Sequence, residues 1–242
     1  MKVPMHYIPV LSTVVTFTFA TAVFRRYMMK RSKHLLFWTI GLIWFGIGTL
    51  AEVLLGLVFN GLALKLWYLS GAMLTAAWLG QGTIWLLVRR HGIAPTLTII
   101  LAVISSLAAV LVLFAPLTSA ALSYNVTQPI SSQYSTILTR SSLIVLLTIL
   151  LNIYGTLVLV GGAIYSAIIF WRKHVLFNRM IGNVLIAAGA LAPAMAGSFV
   201  KLGLVDGLYL SELAGVILMY VGFIQATTVP VTKPATHTAA VE

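Results

Sequence analysis

The sequence contains no cysteine. Disulfides, thiolate metal sites and thiol catalysis are therefore excluded, and no redox compartment can be read from it. Acidic residues are nearly absent too: four Asp and Glu stand against 15 Lys and Arg. That leaves no acidic metal cluster and no paired-aspartate hydrolase site. All charged residues together make up 8% of the chain, where a soluble domain averages about 25%. The five histidines, His6, His34, His91, His174 and His237, fall in loops, at ends or in the tail, so facing membrane ligands for a b-type haem are missing. No HExxH, Walker loop or nucleophile elbow occurs. A retinal Schiff base would need a mid-membrane lysine in the last span, and that span has none. No enzyme, no metal and no cofactor beyond a bound lipid is expected.

What is present is apolar. Hydrophobic residues make up 60% of the 242, and no non-membrane stretch is long enough for a soluble domain. The composition predicts an all-α integral membrane protein, a bundle of seven helices over residues 1–230. Its spans are expected at about 7–24, 35–60, 62–88, 93–117, 141–171, 180–203 and 208–229, with a short disordered tail at 231–242. Met1 to Phe24 has a loose signal-peptide layout. Its positive charge follows the apolar stretch, at Arg25 and Arg26, so it reads as a retained first span. Asn60-Gly61 is a tight turn signal, Pro95 sits in a first helical turn where proline is tolerated, and Pro193 between Gly189 and Gly197 predicts a helix kink in span 6. The segment at 141–171 is longer than a bilayer requires, so it should tilt or project.

Charge placement gives an orientation. With the N-terminus outside and the C-terminus cytoplasmic, the inner segments carry Arg25, Arg26, Lys30, Arg31, Lys33, Arg89, Arg90, Arg172, Lys173, Arg179 and Lys233, most of the basic residues. Lys2, Lys65, Arg140 and Lys201 are the exceptions. Arg25, Arg26, Lys30, Arg31, Arg89, Arg90, Arg172 and Lys173 would hold anionic inner-leaflet headgroups. This accounts for the net charge of +11 without a nucleic-acid partner.

The polar groups concentrate at the other end. Leu35 to Asn60 is almost wholly apolar but carries Glu52, whose helical neighbours are Gly41, Phe45, Gly48 and Gly56. Such a small-residue face points at protein rather than lipid, and an ionisable group at membrane depth marks a functional site with a partner. Lys65 and Lys201 are the expected partners. With Glu212, Trp67 and the mid-membrane Trp78 they form the candidate ligand-binding set: Glu52, Lys65, Trp67, Trp78, Lys201 and Glu212. Snorkelling lysines and an interfacial Glu212 are the plainer reading. The outer loop at 118–140 reads as a solvated loop, a lid or a partner-binding surface.

Trp44-Phe45-Gly46 with Leu50-Ala51-Glu52-Val53-Leu54, then Leu66-Trp67-Tyr68-Leu69-Ser70-Gly71 and Trp78, resembles the seven-helix N-terminal sensor module of bacterial histidine kinases and diguanylate cyclases. Arg179, Pro193 and Leu202-Gly203-Leu204 are similar as well. The resemblance implies a module of the cytoplasmic membrane that senses a ligand or membrane condition. Residues 231–242 leave no room for that family's output domain, which implies a separate protein partner or a second copy. A structural subunit of a larger membrane complex is the alternative. A small transporter or channel is a third, disfavoured by the lack of inverted repeats.

Overall fold

The computed structural model describes residues 7–88, 90–172, 177–201 and 206–227, with the side chains of 170, 177, 179, 193–201 and 206 left aside. Arg89, Lys173 and the tail at 231–242 lie outside the described residues. The architecture is helical throughout. Its long elements are α1 (Tyr7–Lys30), α2 (Lys33–Leu57), α5 (Ile93–Leu113), α7 (Ser142–Arg172), α8 (Phe177–Lys201) and α9 (Asp206–Thr227). Between α2 and α5, one continuous rod is built from α3 (Gly61–Trp67), a π-helical segment (Tyr68–Leu74) and α4 (Thr75–Leu87). Among the described residues no strand occurs, only an isolated antiparallel bridge between Leu117 and Leu138.

Six of these helices are long and apolar enough to cross a membrane: α1, α2, the Gly61–Leu87 rod, α5, α7 and α9. In the expected sixth span, α8, the sufficiently apolar described stretch is shorter, Met180–Ala192. α8 runs through Pro193 without dividing into two helices. The outer surface is apolar where a soluble protein would be polar. On α5, Ile99, Val103 and Val110 are exposed, and on α7, Leu146, Ile153 and Leu157. This pattern suits a multi-pass membrane protein whose solvent is lipid.

Breaks between helices follow local chemistry. Asn60 ends the α2 connection as the N-cap of α3, its Oδ1 accepting from the backbone N–H groups of Leu62 and Ala63 at 2.9 and 3.0 Å. Gly92 precedes α5 at φ +88, a conformation that glycine adopts without Cβ strain.

Packing closes a ring. α1 lies against α2, α2 against α4, α4 against α7, α7 against α8, α8 against α9, and α9 returns to α1. Small residues permit the approach. A Cβ on Gly182 would stand 2.5 Å from Gly222 O, and one on Gly189 would stand 2.5 Å from Gly215 O. α5 stands outside the ring and is the least buried of the six long helices. Buried Gln81 ties it in, donating to Ala94 O at 3.0 Å and Thr98 Oγ1 at 2.7 Å while accepting from the Tyr154 hydroxyl. At one end of the bundle Arg26 donates to Thr227 O at 3.2 Å and Lys33 lies 4.6 Å from the Trp85 ring. Arg25, Lys30, Arg31, Arg90 and Arg172 are exposed and Arg26 is half-buried.

Candidate functional site

Glu52 is the least exposed of the carboxylates whose side chains are described. It lies five residues before the end of α2, about 8 Å along the axis from that end, and is only 4% exposed. Its Oε1 accepts a hydrogen bond of 2.8 Å from the indole Nε1–H of Trp67. Its Oε2 is buried and has no partner at ordinary hydrogen-bond geometry among the described residues. Across from it stands Glu212 of α9, half-buried, its carboxyl group near enough to that of Glu52 for the two to share a proton in a hydrogen bond. The two acids are 160 positions apart in the chain, and the closure of α9 onto the ring makes them neighbours.

Both border a cavity of about 330 Å³ inside the ring. Its polar end holds Glu52, Glu212 and Trp67, with Thr49, Thr75, Asn152 and Thr156 along the wall. Phe45, Leu79, Leu159, Ala190 and Met219 make the rest apolar. The volume falls within the usual range of ligand pockets, roughly 300–1,000 Å³.

The wall is irregular because the rod changes pitch there. In the π segment each turn takes an extra residue, which re-aims side chains and leaves backbone groups to be paired by other means. Thr75 Oγ1 donates to Ser70 O at 2.8 Å and Asn152 Nδ2 to Ala72 O at 2.6 Å. Gly71, in this segment, faces Gly48 of α2, where a Cβ would lie 3.1 Å from the Gly71 Cα. The close approach therefore needs glycine at 48, whereas a Cβ on Gly71 would make an ordinary contact of 3.9 Å with Gly48 Cα, and the segment forms part of the cavity lining.

The loop at 118–140 is a folded cap. It contains a 3₁₀ turn (Ser119–Ser123) and the helix α6 (Ile130–Ile137), closed by Thr118 N–H donating to Ile137 O at 2.9 Å and Thr139 N–H to Pro116 O at 3.1 Å. Ile130, Ile137 and Leu138 are buried beneath it. Aromatic contacts seat α6, with the Tyr134 ring 5.3 Å from Trp67 and 5.6 Å from Tyr68. Arg140 lies 4.9 Å from the Tyr134 centroid, which gives this cation, an exception to the charge bias, a partner. Tyr124 packs at 5.1 Å on Phe59 and donates its hydroxyl to Leu55 O at 3.0 Å. Burial first, then the charge of Glu52, pushes the Tyr124 phenol up from its ordinary range. The phenol therefore stays a donor at any physiological pH. Beneath Tyr124 and Val126–Ile130 a crevice of about 30 Å³ reaches Glu52 from the opposite side. Glu52 thus borders both spaces. Tyr124→Phe removes one hydrogen bond of about 1 kcal/mol. The expected result is faster amide exchange in 124–130, with exchange in α2 and α4 unchanged.

The structure brings together three of the candidate residues, Glu52, Trp67 and Glu212. Lys65 is not the partner of Glu52: its Nζ donates to Leu113 O at 2.8 Å at an exposed position. There the carbonyls ending α5 attract a cation. Trp78 also faces away from the cavity, donating to Ser105 Oγ at 3.2 Å and stacking 6.0 Å from Phe37. The side chain of Lys201 lies outside the described residues, as does that of Pro193. Sequence reasoning missed Tyr124 and the π segment as parts of the site. No family model matches the chain, and neither a curated protein nor a solved structure matches it.

Proposed function

We propose that the protein is a non-enzymatic binding and sensing module of the cytoplasmic membrane, with seven spans, its N-terminus outside and its C-terminus inside. In this reading α8 also spans, as the sixth of the seven in chain order, and the capped end of the ring faces outward. The observation that carries it is the cavity inside the ring, whose described lining holds two neighbouring acids, Glu52 and Glu212, and no cation, with Glu52 Oε2 enclosed and without a described donor at ordinary hydrogen-bond geometry. A buried carboxylate oxygen without a donor is costly, and a ligand that supplies the donor would relieve that cost. The concentration of basic residues at the other end supports the orientation and gives anionic lipids a place to bind. The cavity touches α2, the rod, α7, α8 and α9, so a ligand there can bias the packing of the whole ring. Output would pass through helix shifts to a cytoplasmic partner at the basic end of the bundle.

A structural subunit of a larger complex is the second reading, and the outlying α5 favours it. Its exposed Ile99, Val103 and Val110 could be covered by another membrane protein as well as by lipid. Native mass spectrometry after gentle extraction separates the two. A small mass bound one to one, and lost in Glu52→Gln, is the expected result. Stoichiometric protein partners around an empty cavity would overturn it in favour of the subunit.

A further inference from the structure

The chemistry of the cavity narrows its ligand, on the reading that it is a binding site. Its polar end is rich in acceptors. Glu52 and Glu212 set two carboxyl groups side by side, near enough to share a proton, and no described donor pairs with the enclosed Glu52 Oε2 at ordinary hydrogen-bond geometry. Of the donors nearby, the Trp67 indole is engaged on Glu52 Oε1 and the Asn152 amide on Ala72 O and Thr148 O, while the neutral hydroxyls of Thr156 and Tyr209 carry no charge to balance the two acids. The cavity lining, taken from every described element around it, contains no lysine, arginine or histidine. Lys65, the cation nearest to Glu52 in the sequence, is held at Leu113 O, and the side chain of Lys201, the cation nearest to Glu212, lies outside the described residues.

A proton alone could balance part of this charge, but it would leave the cavity volume unexplained. At about 30 Å³ per water, the space equals roughly ten waters, or a ligand of about ten non-hydrogen atoms. Away from the carboxyl groups and the hydroxyl- and amide-bearing wall, the lining includes Phe45, Leu79, Leu159 and Met219, which favour an apolar body over a hydrated ion. We propose that the cavity binds a small primary ammonium carrying a short apolar chain, with the ammonium between Glu52 and Glu212 and the chain among those four side chains. A primary ammonium brings three donors and no acceptor, which matches what the polar end lacks. Hydrogen bonds from it to carboxylate are charge-assisted and among the stronger ones available.

The test uses the full chain in nanodiscs of neutral lipid at fixed ionic strength, with thermal unfolding and native mass spectrometry as readouts. The probes are n-hexylammonium, 1-hexanol, hexanoate and sodium chloride. Hexylammonium is expected to raise the unfolding midpoint and bind one to one. Hexanol should bind about tenfold or more weakly, as the loss of one charge-assisted bond implies, and hexanoate and sodium should leave the midpoint unmoved. Glu52→Gln and Glu212→Gln, on two different helices, should each lose the hexylammonium shift. Equal shifts by hexanol and hexylammonium overturn the ammonium assignment but leave a binding cavity standing. A carboxyl-dependent shift by sodium without one by hexylammonium overturns it in favour of an inorganic cation. No shift by any probe, with no small mass on the extracted protein, overturns the binding reading as well. The comparison of hexylammonium with hexanol needs no variant, so a misfolded Gln variant does not decide the outcome.

Discussion

Gly155→Leu is expected to abolish the folded protein, whereas Gly161→Leu, six residues along the same helix, is expected to leave it intact. Both glycines lie in α7, and helix propensity alone would have either substitution stabilise the helix by up to about 1 kcal/mol. Packing decides otherwise. A Cβ on Gly155 would overlap the backbone of Ala76 and stand 2.5 Å from Ala77 N, both in α4. The clash is with main chain, which cannot rotate away as a side chain can. Gly80 of α4 meets Gly155 from the other side, where its own Cβ would lie 3.1 Å from the Gly155 Cα. α4 and α7 are adjacent members of the ring, so separating them opens the cavity as well as the contact. Overpacking costs of about 1–3 kcal/mol are common where side chains can adjust. Here the cost should exceed the upper figure, a large part of the roughly 5–15 kcal/mol that holds a typical domain together. A Cβ on Gly161 meets nothing within 4 Å. The check is the yield of monodisperse protein in detergent and its unfolding midpoint. Equal behaviour of the two variants would show that α4 and α7 do not approach at Gly155.

The long helices were legible from the sequence because apolar length is the signal a bilayer demands. The expected 141–171 is observed as Ser142–Arg172, and 62–88 as the rod Gly61–Leu87. Ends were less legible. The expected 93–117 stops at Leu113, because Phe114 closes α5 before the polar stretch that builds the cap. The cap itself was hidden. Its fastenings join positions far apart, Tyr124 to Leu55 and Tyr134 to Trp67, and nothing local in a Ser/Thr-rich segment announces them. The π segment was hidden for a similar reason. Its extra residue is accommodated by Asn152 of α7 and Gly48 of α2, while Tyr68–Leu74 itself contains no proline to mark the change. For the site, small-residue spacing around Glu52 pointed correctly to a protein-facing carboxylate. The choice of Lys65 as its partner failed because a flexible lysine can reach the end of α5 as easily as the bundle interior. Trp78 failed because mid-membrane depth does not reveal which neighbour a helix face meets.

Trp67→Phe is expected to destabilise the protein by about 1–3 kcal/mol, the cost of leaving a buried acceptor without its donor. The aromatic contacts of Trp67 with Tyr68 and Tyr134 are largely retained by a phenyl ring, so the lost indole N–H dominates the change. Glu52 Oε2 already has no described donor at ordinary hydrogen-bond geometry. Removing the 2.8 Å bond from Trp67 leaves Oε1 in the same condition. Glu52→Leu should be milder than a pairwise bond energy suggests, since it removes an unsatisfied oxygen together with the accepted bond. In the double variant, Trp67→Phe should cost little more on top of Glu52→Leu, because no acceptor is left stranded. The double-mutant cycle is therefore expected to show a coupling of about 1–3 kcal/mol between the two positions. The measurement is the denaturation free energy of the four proteins in one detergent. Strict additivity would mean that the indole does not hold the carboxylate. The same cycle bears on function. If Trp67 keeps Oε1 engaged so that Oε2 alone faces the cavity, Trp67→Phe frees both oxygens. It should then weaken the preference for hexylammonium over hexanol less than Glu52→Gln does. Loss of stability with retention of ligand selectivity is the pattern expected of a residue that positions the carboxylate, while Glu52 itself meets the ligand.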